Sequence, residues 1–305
     1  KYYTDKWAEN ISNALFNVPH RHIVLGVPPP IWDLLLNRRD LWKVMMDSAI
    51  AGLDQVLSHK NHKEIQVGAI IVLHPFSKDL SFKAHLHLLI TEGGFHKGQW
   101  VHDYYFPAEA MRKTWQYNIL TNLKQNIPKT KENAELIDGL FKKYKNGFYV
   151  YLPEKGRLRG KRDIAKYIGR YIRHPAIANS RISGYDGKIV SYWYVDTQDV
   201  RHDCKMPVME FITAIIQHIP EPQFKMIRYY GAYSRKKKRI YCRIVGQQSI
   251  TQTKIEDHDG TRHVYCINCH KLMDFVLYVK KKPPSKVPFG SLVDHWHSIG
   301  AANAI

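Results

Sequence analysis

The sequence predicts a mixed α/β (α+β) domain, and three observations carry that expectation. Two strand-like runs, Ile65 to His74 and Lys83 to Thr91, stand on either side of a connection of hairpin length, 75–82. Apolar residues recur at helical spacing from Ile31 to about Leu57 and again over 107–125. Between and after these blocks lie further short β-type runs, 20–27, 148–152, 188–195 and 227–233. Strands and helices thus interleave along one chain, as they do when a sheet is packed against helices.

In order, HRHIVLGV at 20–27 has strand character and Pro28-Pro29-Pro30 is expected to end it. Leu34, Leu35, Leu41, Val44, Met45, Ile50, Leu53, Val56 and Leu57 then give one long helix. Gly93-Gly94 closes the second hairpin strand, and Pro107 opens a helix through Met111, Trp115, Ile119 and Leu120. A more polar helix follows over 131–145, then the short strand FYVYL at 148–152. Beyond it come a strand at 188–195, a helix at 207–219 with Phe211, Ile215 and Ile219 on one side, and a strand at 227–233. Arg235 to Arg239 is an unbroken run of five cations, the usual mark of a solvated tail, although beside aromatic strands such a run can track a phosphate backbone. A lead-in helix is expected over 1–18 and a Lys/Pro-rich linker over 280–288. The expected division is a domain over 1–235 followed by a basic linker and small appendage over 236–305.

Charge narrows the function. The formal net charge is +19 over 305 residues, which points to a polyanionic partner. No apolar run is long enough to span a bilayer and no secretory leader is visible, so a membrane partner is not expected. Four irregularly spaced cysteines do not form a disulfide framework, which suits a reducing, cytoplasmic setting.

Two clusters bear chemistry. His85 and His87 sit two apart in a strand, so period two puts both imidazoles on one face, with Leu86 and Leu88 on the other. His74, at the end of the neighbouring strand, can reach that face as a third ligand for Zn, Mn or Mg, nitrogen donors favouring Zn or Mn. Similar His-x-His pairs at 20/22 and 295/297 lack such a strand interior, and His20/His22 is taken as a strand-edge pair. The second cluster is the stretch 154–181, with nine Lys or Arg against Glu154 and Asp163. Its segment from Asp163 to His174 has helical spacing and stops at Pro175. Tyr167 and Tyr171 share one face, Ile164, Ile168 and Ile172 form a core-facing stripe, and Lys166, Arg170 and Arg173 flank the phenols. Arg157 and Arg159 add cations just upstream. A cation-polarised phosphate attacked by an in-line hydroxyl is the chemistry such a pair of clusters can perform. Near the C-terminus, Cys266 and Cys269 have the spacing of half a zinc knuckle, with His258, His263 and His270 nearby, and are a candidate structural zinc site.

At these residues a resemblance enters. FKAHLHLLITEGGF resembles the His-hydrophobic-His motif of the HUH endonuclease superfamily. KYIGRYIRHPAIANSRI resembles the two-tyrosine helix of its rolling-circle, IS91-like insertion-sequence transposases. PHRHIVLGVPPPIWDLLLNRRDLW and IIQHIPEPQFKMIRYYGAYS resemble the same transposases, in the same order, over about residues 18–235. The resemblance implies a central antiparallel sheet flanked by helices and a divalent metal, Mg or Mn, on His85, His87 and His74. It implies cleavage of single-stranded DNA by Tyr167 and Tyr171 through a 5′-phosphotyrosine, at transposon ends or hairpins. Helix geometry and the basic stretch, rather than the resemblance, put Lys166, Arg170, Arg173, Arg157 and Arg159 toward the DNA. Members usually begin with a cysteine-rich zinc module; none stands before residue 18, so recognition of the element's ends is expected to be done otherwise or by a further segment. A replication initiator or relaxase of the same superfamily would use the same chemistry. From other classes come a non-catalytic single-strand-binding module built on Tyr149, Tyr151, Tyr192, Trp193, Tyr194, Tyr229 and Tyr230, and a zinc hydrolase with Glu92 as the nearest base.

Overall fold

A computed structural model of the chain describes residues 15–61, 64–102, 104–153, 176–196 and 198–245, with two short strands at 264–265 and 272–273. The tyrosine helix over 163–174, most of the lead-in helix over 1–18, the Cys266/Cys269 pair and the linker over 280–288 lie outside the described residues. The chain divides into two compact units, Lys1–Ile250 and Thr251–Ile305.

The first unit is built on a five-stranded sheet in the order β10-β2-β3-β1-β6, every neighbour antiparallel. Its strands are β1 (His20–Gly26), β2 (Gly68–Phe76), β3 (Phe82–Thr91), β6 (Val150–Tyr151) and β10 (Ile227–Gly231). The architecture is therefore α+β, as the sequence predicts. β2 and β3 form the expected hairpin, with His74 opposite His85 and Val72 opposite His87. On the far side of β3, Val24 lies opposite His87 and His22 opposite Leu89.

Period two then divides the sheet into unlike faces. Ile23, Leu25, Ile71, Leu73, Leu86, Leu88, Ile90 and Val150 point one way and join the main core. Helices cover that side: α1 (Pro29–Asn37), α2 (Leu41–Asn61), α3 (Ala108–Asn126) and α4 (Lys131–Lys143). Trp42, Met45, Met46 and Leu53 of α2 and Met111, Trp115, Ile119 and Leu120 of α3 are buried there. The Trp115 indole donates to the Gly26 carbonyl at 2.9 Å, fastening α3 to the end of β1.

The single long helix expected from Ile31 to Leu57 is two helices. The Arg38 amide donates to the Leu34 carbonyl, and the Arg38 backbone (φ −130, ψ 75) has left the helical region. Its guanidinium grips Asp40 at 2.7 Å, which holds the corner. Pro29 and Pro30 start α1 rather than only ending the strand, because the first helical turn needs no amide hydrogen from them.

Two smaller cores meet this sheet. Leu15, Phe16, Phe95, Ala232, Tyr233 and Cys242 close over Ile70 and Leu89 on the other face of the sheet. Phe95 comes from a small hairpin, β4 (Gly94–His96) with β5 (Gln99–Val101), which the sequence patterns did not signal. β10 ends at Gly231, whose φ of 55 brings its backbone so near the Val67 carbonyl oxygen that a Cβ would sit 2.0 Å from it. The second core gathers Leu80, Val190, Tyr192 and Phe211 between a three-stranded sheet and a helix. Its elements are β7 (Ile182–Tyr185), β8 (Ile189–Val195), β9 (Arg201–Pro207) and α5 (Val208–Gln217). Leu80 belongs to the β2–β3 turn, and Lys78 of that turn donates to the Val195 carbonyl at 2.9 Å.

Arg235–Ile244 is a helix, α6, where the sequence pattern suggested a solvated run opening a linker. Tyr241, Cys242 and Val245 supply the apolar side that such a run lacks, and they pack on the cluster around Tyr233. In the second unit, β11 (Val264–Tyr265) pairs antiparallel with β12 (Leu272–Met273).

Candidate metal centre

On the face of the sheet away from the main core, His74, His85 and His87 each turn one ring nitrogen toward a common point. These ligand atoms all lie within 4.8 Å of one another. His74 Nδ1 is 3.2 Å from His85 Nε2, which is 3.1 Å from His87 Nε2. The hairpin register produces this, because His74 and His85 are direct cross-strand partners and His87 follows His85 on the same face.

Tautomers follow from the neighbours. His85 Nδ1 is 2.7 Å from the Lys83 carbonyl oxygen, which can only accept, so Nδ1 carries the proton and Nε2 offers its lone pair. His87 Nδ1 is 2.8 Å from His22 Nε2, and the two rings stack at 11° with centroids 5.1 Å apart. When His87 Nδ1–H donates to His22, His87 Nε2 turns its lone pair toward His85 and the common point. Both arrangements are the outer partners that fix a metal-binding imidazole.

Electrostatics favour the neutral form. Burial first, then the charges of His85, His22 and His74, push His87 down to about 2. Burial also lowers His85. His22 is lowered to about 4, by burial and then by the charge of His85. Neutral His85 and His87 can turn lone pairs toward the point that His74 also faces, an arrangement that fits a divalent cation. The donor set is all nitrogen, which suits Zn or Mn better than Mg.

His20 and His22 are not the exposed pair that a strand edge would suggest. β6 pairs with β1 only at Val24 and Leu25, yet both side chains are buried. His20 is 2.6 Å from the Tyr233 hydroxyl and His22 reaches His87. The strand pattern alone could have placed His22 beside a neighbouring strand, but which strand depends on contacts 65 residues apart. Glu92 lies just beyond β3, five residues past His87 and roughly 17 Å along the strand direction. There it pairs with Arg21 at 3.6 Å, away from the histidines. Among the described residues no carboxylate joins the cluster.

The surroundings also bear on residues 154–175, which contain Tyr167, Tyr171, Lys166, Arg170, Arg173, Arg157 and Arg159 and lie outside the described residues. The chain enters that stretch from β6, which pairs with β1, and leaves it at Ala176 and Ile177. Those two residues pack against the cluster of Leu80, Val190, Tyr192 and Phe211, in which Leu80 comes from the turn joining the two histidine-bearing strands. No helix of the described residues is long and apolar enough to cross a membrane.

Comparison with known proteins gives a consistent result. The family model Y2_Tnp, described as "Putative transposase", matches residues 68–239, a span that includes the whole His74/His85/His87 hairpin. The "Transposase for insertion sequence element IS801" of Pseudomonas savastanoi pv. phaseolicola is 27% identical over 243 residues, 76% of this chain and 58% of the relative. "Putative transposase y4qJ" of Sinorhizobium fredii is 24% identical over 263 residues, 78% of this chain and 65% of the relative. The chain thus spans 58% and 65% of the lengths of these two relatives. No solved structure matches the chain.

Proposed function

The chain belongs to the Y2_Tnp transposase family, and from that premise we propose that it cleaves and rejoins single-stranded DNA through a 5′-phosphotyrosine. The observation that carries this reading is the convergence of three imidazole nitrogens on the face of the antiparallel sheet opposite the main core. A divalent metal, Mn or Mg, bound by His74, His85 and His87 would polarise the scissile phosphate. Tyr167 or Tyr171 attacks phosphorus through its phenolic oxygen and loses its proton. The bond to the 3′ oxygen breaks, that oxygen takes up a proton, and the 5′ phosphate stays on the tyrosine. The second tyrosine allows a second cleavage or the transfer of a strand before the first end is released.

Within this reading Lys166, Arg170 and Arg173 neutralise phosphate charge beside the phenols, and Arg157 and Arg159 hold the backbone upstream. Support comes from the two ends of the tyrosine-bearing stretch, both attached to elements next to the histidine strands. Residues 1–235 would carry the chemistry, with a Cys266/Cys269 zinc site further on stabilising the second unit.

Incubation with Mn²⁺ and end-labelled single-stranded oligonucleotides tests the proposal. The expected product is a covalent protein–DNA adduct with a free 3′ hydroxyl on the released piece. It should vanish in His85→Ala and in the double variant Tyr167→Phe/Tyr171→Phe. An adduct that survives the double variant would refute the assignment of the nucleophiles. Cleavage with no adduct would favour water as the attacking group.

A further inference from the structure

α6 breaks two local rules of helix charge. Arg235 and Lys236 stand in its first turn, where the positive end of the helix dipole disfavours cations. Arg235, Arg239 and Arg243 recur four apart, so each repels the next, and no acid occurs in the helix. On the other helices some lysines do have acid partners: Lys43 with Asp47 on α2, Lys113 with Glu109 on α3 and Lys131 with Glu135 on α4. Among the described residues no carboxylate pairs with Arg235, Lys236, Arg239 or Arg243, and all four are exposed. Helices that keep such a face despite its self-repulsion have a partner of opposite charge to meet.

The helix is nonetheless firmly docked. Lys237 Nζ donates to Gln66 Oε1 at 3.2 Å, the Tyr241 hydroxyl donates to the same oxygen, and the Tyr241 ring lies 4.0 Å from Phe95. Cys242 is buried in the cluster that covers Ile70 and Leu89. Leu89 is two residues from His87 on the same face, roughly 7 Å along β3. α6 therefore lies on the same face of the sheet as the histidines, anchored toward the Thr91 end of β3.

We infer that Arg235, Lys236, Arg239 and Arg243 form a docking surface for the DNA backbone on the histidine face of the sheet, holding the strand at a distance from the scissile phosphate, toward the Thr91 end of β3. The inference rests on the proposed single-stranded DNA substrate. One arginine per turn, about 6 Å apart, offers a regular row of guanidinium forks, the side chain best shaped for phosphate.

Fluorescence anisotropy of the full chain with a labelled single-stranded oligonucleotide, titrated over NaCl concentration, is the test. Changing all four residues to Gln should weaken binding about 100-fold at low salt and reduce the steepness of the log–log salt dependence by about 2 to 3. Mn²⁺ affinity and circular dichroism should match wild type. Arg235→Lys/Arg239→Lys/Arg243→Lys, which keeps the charge, should keep the salt dependence. Gln at Lys129, Lys131, Lys142 and Lys145, exposed on the helical side of the sheet, should leave it nearly unchanged. If the four-fold α6 variant binds with wild-type affinity and slope while wild type still forms the tyrosyl adduct, this surface is wrong and the cleavage reading stands. The surface is equally wrong if the Lys129/Lys131/Lys142/Lys145 variant weakens binding as much. If wild type binds with the α6-dependent slope but forms no adduct, the surface stands and the cleavage reading falls.

Discussion

The two faces of the five-stranded sheet are made by the same strands and behave as different materials. Leu86 and Leu88 of β3 disappear into the helical core, while His85 and His87, their immediate neighbours, face the other way and meet other imidazoles. The apolar face gains by excluding water and is indifferent to the identity of any one contact. The histidine face depends on individual nitrogen positions, each held by a named partner such as the Lys83 carbonyl or His22. A rigid core behind a strand is what keeps such positions within a ligand's tolerance.

That contrast can be broken from either side. Trp115→Ala, on the core side, should cost about 3–5 kcal/mol of stability, because it opens a large cavity and abandons the Gly26 carbonyl. Urea unfolding would measure it, and Mn²⁺ should still bind to whatever fraction remains folded. His87→Ala should have the opposite profile. Metal affinity, followed by isothermal titration calorimetry, should fall by more than about 100-fold, with far less change in the unfolding midpoint than Trp115→Ala causes. A smaller effect should come from His22→Ala, about 10- to 100-fold in metal affinity, since it removes only the acceptor that orients His87. His22→Gln, whose amide oxygen can accept the same hydrogen, should recover part of the loss.

The mildest test uses pH. Burial depresses His20 from an ordinary histidine value to about 4. Between that value and about 6.5 the unfolded chain binds a proton that the folded chain refuses, so stability falls as pH drops through this window. The slope should approach about 1.4 kcal/mol per pH unit for this one residue. Denaturation at pH 7 and pH 5 in wild type and His20→Gln would read it, with the variant's slope the shallower. Equal slopes would mean that Tyr233 and the sheet do not hold His20 neutral.

Legibility followed the range of the interactions. The β2–β3 hairpin and its histidines were visible because alternation and a short connection are local signals. β9 passed unnoticed: in RHDCKMP the packed face carries only His202, Cys204 and Met206, too short an alternation to stand out before its register with β8 is known. The break between α1 and α2 was invisible because neither Pro nor Gly marks it; Arg38 and Asp40 make it by hydrogen bonding. α6 looked like a tail because its anchors, Tyr241 and Cys242, come after the cations.

By itself, then, the sequence determined that strands and helices interleave, that His85 and His87 share a face with His74 in reach, and that the chain is strongly basic. All of these depend on spacing along the chain and on composition. Only the tertiary structure decided that β1 pairs with β3, that His22 meets His87, and that α6 lies on the histidine face of the sheet. Strand order and the docking of α6 arise from pairings between residues 65 to 175 positions apart, whose burial is settled only once the whole sheet has closed on its core.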